Sequence, residues 1–191
     1  SLANLSARAM LDAIKDAGGV KPQALYVGNL LASTVSGQAN LGTLIAENAG
    51  LTHIETFTVE AGEASGAAAL HVAYQAVKSE RVDTALVVGV EKVTDMVGPS
   101  IDYAIAQTMD YDFEVTQGLT PAAQAALLMA RYMDEFQAER DSFSALPLLA
   151  HANAAGNPFA MYRQAIDLET YCAAPALSSP LNLFDAAPFA D

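Results

Sequence analysis

The sequence contains no tryptophan and a single cysteine, Cys172. One thiol excludes an intramolecular disulfide and fits a reducing compartment, so a cytoplasmic location is expected. Basic side chains are scarce as well. Nine Lys and Arg stand against 22 Asp and Glu, a net charge of −13 at pH 7. That balance argues against nucleic acid and anionic membrane surfaces as partners. No apolar run approaches the roughly 20 residues needed to span a bilayer. Nor does a signal peptide open the chain, since Ser1 leads directly into an amphipathic pattern. What the sequence does have is apolar material: 52% of its 191 residues, ample for one large domain or a domain with an appendage.

Leu5, Ala9, Ile14 and Ala17 recur at helical spacing, with Arg8, Asp12 and Lys15 between them. Gly18-Gly19 ends that helix. Residues 24–31 read as a buried strand, and Asn40 to Ala49 as a helix stopped by Gly50. A β-branched strand follows from Glu55 to Val59, then an Ala-rich helix from Ala64, read as apolar on every side and therefore buried. Thr84 to Val90 is the clearest buried strand. Strands alternating with helices imply right-handed βαβ units and a mostly parallel sheet. Past Thr94 the pattern changes. Gly98-Pro99 opens what reads as a long acidic loop. Thr120-Pro121 starts a helix to about Phe136. Asp141 caps another, which Pro147 should kink or delay, and Asp167 caps a short turn to about Cys172. The remainder, with Pro175, Pro180 and Pro188, reads as loop.

The chain is organised around Thr58 to Leu70, Thr-Val-Glu-Ala-Gly-Glu-Ala-Ser-Gly-Ala-Ala-Ala-Leu. A strand enters a helix through a turn marked by Gly62. Glu63 sits where the helix dipole and free N–H groups favour an anion or a nucleophile. Ala64, Ser65 and Gly66 allow close approach of another backbone or a ligand. This stretch resembles the nucleophile segment of the thiolase superfamily, whose Cys attacks the acyl thioester; here that position is Glu63. Tyr26-Val27-Gly28-Asn29, Val88 to Asp95, Asn157-Pro158 and Ser179 to Asp185 are similar, in order, to motifs of the sterol-carrier-type and archaeal thiolases.

The resemblance implies a thiolase-type α/β fold. Its mixed, mostly parallel sheet has order 3-2-4-5-1, with helices on both faces and a helical loop domain. Residues 1–94 would be the N-terminal core, 95–180 the inserted loop domain, and 181–191 the lead-in to a fifth strand. The family's first and fifth strands, and the C-terminal half with its catalytic His and second Cys, are expected outside these residues. The implied substrate is a coenzyme A thioester, with no separate cofactor and no metal. The implied activity is acetyl-CoA C-acyltransferase. Two readings stay open: part of an acyl-CoA acyltransferase, or a non-catalytic acyl-CoA-binding or scaffold subunit. Implied partners are the C-terminal half or a partner subunit, and a second copy paired antiparallel through the edge strand at 55–60.

Glu63 itself reads either as a residue with a catalytic or ligand-sensing role or as a helix N-cap or first-turn acid. A glutamyl nucleophile would carry its acyl group as a mixed anhydride. Cys172 is expected to be buried and inert, and His71 a hydrogen-bonded core residue. His53 and His151 lack a partner at ligand spacing. Asp102, Asp110, Asp112 and Glu114 lack the loop pattern of a calcium site and read as a solvated acidic loop. Arg131, Arg140 and Arg163 fall where the family binds coenzyme A, match no ligand position, and read as solvated surface arginines. Val88-Gly89-Val90 lacks the Gly-rich turn of a dinucleotide fingerprint.

Overall fold

The computed structural model describes residues 1–188. The chain divides into two compact units, Ser1–Ala104 and the residues from Ile105 onward.

In the first unit α1 (Leu2–Asp16) precedes β1 (Ala24–Gly28), a short α2 (Ala32–Val35) and α3 (Leu41–Asn48). Then come β2 (Glu55–Val59), α4 (Ser65–Lys78) and β3 (Ala85–Gly89), and α5 (Pro99–Ala106) runs across the division at Ala104. The three strands form one parallel sheet in the order β2-β1-β3, the spatial order expected. Central β1 is buried along its whole length. Its side chains alternate between two cores, as a pleated strand requires. Leu25 and Val27 join Leu2, Met10, Ile45 and Val88 on the side covered by α1 and α3. Ala24 and Tyr26 join Ala69, Ala73, Ala76 and Val82 on the side covered by α4.

Helix α4 departs from the expectation of burial all round. Ser65, Ala69, Ala73 and Ala76 face inward at helical spacing. The opposite face, with Leu70 and Tyr74 at 61% and 55% exposure, is open. A run rich in Ala and apolar residues hides this asymmetry, because its small inward residues and its large outward ones look alike in hydropathy. Gly98-Pro99 also departs from the loop expectation: it opens α5, with proline at the first helical position, where its missing N–H costs nothing.

The second unit holds α6 (Pro121–Phe136), α7 (Ala145–Ala155) and α8 (Leu168–Cys172). Thr120 caps α6 by accepting from the Ala123 N–H at 3.2 Å, with Pro121 in the first turn, as its sequence predicts. The Asp167 carboxylate caps α8 through the Thr170 N–H at 2.8 Å, and the hydrogen bonds from Thr170 hold that carboxyl below its ordinary pKa. Asp141 is not a cap. It lies in a 3-10 turn, Arg140–Phe143, and α7 starts after Ser144. Pro147 therefore falls in the first turn of α7, where no intrahelical N–H is needed, and the helix is delayed relative to the expected cap at Asp141. The region expected as loop contains an antiparallel hairpin, β4 (Ala176–Ser178) with β5 (Leu181–Asn182), on which α6 packs. The segment 181–191 continues from β5 into a 3-10 turn, Leu183–Asp185; the end of that expected lead-in lies outside the described residues.

Candidate functional site

All three parallel strands end in register. Gly28 pairs with Val59 on one side and with Gly89 on the other. In open α/β sheets ligands bind beyond these carboxyl ends. The N-terminus of α4 is seated directly on them. A Cβ built on Gly28 would lie 2.6 Å from the Ser65 carbonyl oxygen and 2.7 Å from the Gly66 Cα. Both obstacles are backbone, so no larger side chain fits at position 28 without displacing α4. Gly28 thus sets how closely the helix meets the sheet.

Between Val59 and Ser65 the chain makes a tight turn. Gly62 has φ +59°, a left-handed conformation that favours glycine. The Glu60 carboxylate accepts from the Gly62 N–H at 2.6 Å. The Ser65 hydroxyl donates to the Gly62 carbonyl at 2.6 Å and accepts from the Ala61 N–H at 3.0 Å. Glu63 is exposed at the tip of this turn. It is neither the N-cap nor a first-turn acid, since α4 begins at Ser65 and its cap position is Ala64.

Beside the turn lies a polar cluster that sequence reasoning missed. The Asn29 N–H donates to the Val59 carbonyl at 3.2 Å. Its side-chain amide donates to the Val90 carbonyl at 2.9 Å and to Glu91 at 3.0 Å. The other Glu91 oxygen accepts from the Leu30 and Leu31 N–H groups, both at 3.0 Å. The Asn29 oxygen accepts from the Ala32 N–H at 3.0 Å. Asn29 and Glu91 both sit in motifs read from the sequence, but 62 residues apart, with nothing to show that they meet. Lys92, next in the chain, is engaged by Asp95 at 2.6 Å.

The other candidate residues are dispersed. His71 is exposed on the outward face of α4, not in a core, because it falls between the inward positions 69 and 73. His53 is exposed with φ +59°. In the second unit the Nδ1 of His151 lies 3.0 Å from the Gln164 carbonyl, and its ring meets Phe184 edge-on. Cys172 is exposed, not buried, because α8 is a short surface helix. Local desolvation and a 3.5 Å hydrogen bond to Asp141 raise its thiol above the ordinary value, away from a reactive thiolate. Asp102 lies on α5, while Asp110, Asp112 and Glu114 belong to a turn that satisfies itself through the Asp110 and Phe113 N–H groups. Among the described residues no group of His, Cys, Asp or Glu is arranged to hold a metal ion.

Arg131 pairs with Glu135 along α6, and Arg163 is exposed. Arg140 is different from the solvated arginine its sequence suggests. It donates to the Pro180 carbonyl at 2.6 Å, to Asp185 at 2.5 Å and to the Tyr171 hydroxyl, and its guanidinium stacks over the Tyr171 ring. Tyr171 in turn donates to Asp185 at 2.8 Å. Burial pushes the Tyr171 phenol above its ordinary value, with Arg140 opposing and Asp185 adding to the shift. Two shallow depressions, of about 480 and 410 Å³, are also lined by the second unit, the first beside α8 and the second beside α7. Neither is lined by Glu63 or the strand ends.

A parallel β2-β1-β3 sheet, a glycine-seated helix and an exposed residue at the strand–helix turn together define a thiolase-type half. The family model described as thiolase, N-terminal domain, matches residues 1–169. The chain belongs to the thiolase family. It is 36% identical over 193 aligned positions to an acetyl-CoA acetyltransferase of Methanothermobacter thermautotrophicus, covering 100% of this chain and 50% of that one. It is 35% identical to an acetyl-CoA acetyltransferase of Methanocaldococcus jannaschii, covering 100% of this chain and 49% of the relative. The chain thus spans about half the length of the curated relatives it matches. Among solved structures, an Ltp2-ChsH2(DUF35) aldolase superposes with a TM-score of 0.74 at 24% identity, over 98% of this chain and 48% of that one. That likeness speaks for the fold.

Proposed function

We propose that these residues form the N-terminal part of a thiolase-like acyl-CoA acyltransferase in which Glu63 occupies the position of the family's nucleophilic cysteine. The observation that carries this reading is the strand–turn–helix at residues 55–78. It presents residue 63 at the carboxyl end of the sheet, beside the small residues Gly62, Ala64 and Ser65. Residues 95–180 are the inserted loop domain in this reading, the location is cytoplasmic, and a C-terminal half or partner subunit completes the site.

Chemistry limits what the chain does alone. In thiolase-type transfer a thiolate attacks the thioester carbonyl carbon, the C–S bond to coenzyme A breaks, and the departing thiolate takes up a proton. A carboxylate attacking the same carbon would give a mixed anhydride, a poorer acyl carrier than the thioester it replaced. The second step needs a base to raise a carbanion on the other substrate. Glu63 has no acid–base partner among the described residues, and its fixed negative charge would repel an enolate beside it. That favours a second reading, an acyl-CoA-binding or scaffold subunit without turnover. The fold leaves room for either, since fold and site are separate questions.

The expected result is therefore no acetoacetyl-CoA cleavage or synthesis by this chain in a coupled assay for free coenzyme A. Measurable turnover would sink the inactive reading and give Glu63 a direct chemical role.

A second copy is the proposed partner of β2. That strand is the edge of the sheet, and Phe57 on it is 47% exposed. An open apolar edge of this kind needs cover, and antiparallel pairing with its own copy supplies it. Sedimentation equilibrium at micromolar concentration should find a dimer; a monomer throughout that range would remove this part of the proposal.

A further inference from the structure

Strand β1 ends at Gly28, and Gly28 with the following Asn29 holds the Glu63 turn at both of its ends. The entry is fixed by Asn29, whose backbone N–H binds the Val59 carbonyl at 3.2 Å, one residue before the turn starts at Glu60. The exit is fixed by Gly28, which abuts the Ser65 carbonyl and Gly66 as α4 begins. Asn29 is itself held from the third strand. Its side-chain N–H group reaches both the Val90 carbonyl and Glu91, and Glu91 spans the gap to the Leu30 and Leu31 amides. Asn29 is only 6% exposed, so its amide has little recourse to water if these partners are lost. A carboxylate suits the Glu91 position because it only accepts, and the three donors around it need acceptors on both oxygens.

We infer that Asn29 and Glu91 are positioning residues for the side chain at position 63; the inference rests on the proposal that this position faces the substrate. They act through the backbone: Glu91 fixes Asn29, and Asn29 fixes the end of β2 from which the turn departs. The consequence is a reactivity at position 63 that depends on a residue 28 positions further along the chain. Misplacing a reacting group by about 1 Å is enough to change rates substantially.

The test places a reporter thiol at the turn. In the full chain, Cys172→Ser removes the native thiol and Glu63→Cys supplies one at the tip. The second-order rate of its alkylation by iodoacetamide is then measured against pH. Glu91→Gln is close to isosteric but puts a donor where one carboxylate oxygen accepted, so either Asn29 or the Leu30 and Leu31 amides lose their partner. It should change the alkylation rate by about fivefold or more and move the pH midpoint, because thiol reactivity follows the local field and access. Asn29→Asp, which faces a carboxylate with the Val90 carbonyl and Glu91, should do the same. Ile45→Val, a core change away from the turn, reports what loss of stability alone does, and should leave the rate within about twofold. Unchanged rates and midpoints in folded Glu91→Gln and Asn29→Asp proteins overturn the inference. An equal shift in Ile45→Val overturns it too, as does failure of both isosteric variants to fold, since the pair would then be serving the whole unit. Alkylation requires no acyl-CoA, so a chain that shows the shift yet never binds acyl-CoA refutes the proposed function and keeps the positioning role.

Discussion

Arg140→Ala should lower the stability of the protein by about 3 kcal/mol, the low end of what stranding a buried charge costs. Arg140 and Asp185 have side chains 24% and 7% exposed, so the carboxylate left behind has little access to water. It would keep the Asn182 N–H at 2.7 Å and the Tyr171 hydroxyl at 2.8 Å, which softens the loss without neutralising the charge. Pro180 and Tyr171 lose a donor at the same time, so the 3-10 turn at 140–143, α8 and the hairpin lose their common tie. Lysine should recover only part of the loss, because one ammonium cannot serve three acceptors held in a guanidinium fork. Urea denaturation of the alanine and lysine variants measures both effects. A cost within about 0.5 kcal/mol, the ordinary range for surface substitutions, would show that Arg140 is solvated after all.

That contrast locates the limits of reading this sequence. The sheet was legible because its strands are short apolar or β-branched runs. Continuous runs such as Ala24 to Gly28 and Ala85 to Gly89 carry the signal locally. Helix starts with a local mechanism were legible too, Thr120-Pro121 and Asp167 among them. What stayed hidden depends on residues meeting across long separations. Arg140 finds Asp185 across 45 residues, and Asn29 finds Glu91 across 62. An arginine on an acidic chain looks solvated until its partner is placed. Helix α4 failed differently: its inward Ala69, Ala73 and Ala76 and outward Leu70 and Tyr74 are all apolar, so composition could not tell the covered face from the open one. For the candidate site, the local pattern located the strand–turn–helix. It set the helix start at Ala64, the N-cap of α4; that the Ser65 hydroxyl closes the turn on Gly62 and leaves Glu63 ahead of that cap was not legible.

In the proposed function residue 63 occupies the acyl-accepting position of the family. Glu63→Cys restores the nucleophile there and nothing else. The introduced thiolate can attack the acetyl-CoA carbonyl and expel coenzyme A, so one acetyl group per chain should be retained as a thioester. Turnover should stay absent, because a second-step base is still missing among these residues. Cys172 should stay unlabelled, since its raised thiol is held to Asp141. Glu63 in the unmodified chain should also stay unlabelled, its anhydride being both harder to form and quickly hydrolysed. The deciding measurement is peptide-resolved mass spectrometry of the two proteins after incubation with acetyl-CoA. The account predicts an acetyl group at position 63 in Glu63→Cys and none anywhere in the unmodified chain. An adduct on the unmodified chain, or a Glu63→Cys protein that is acetylated only at Cys172 or not at all, would contradict it.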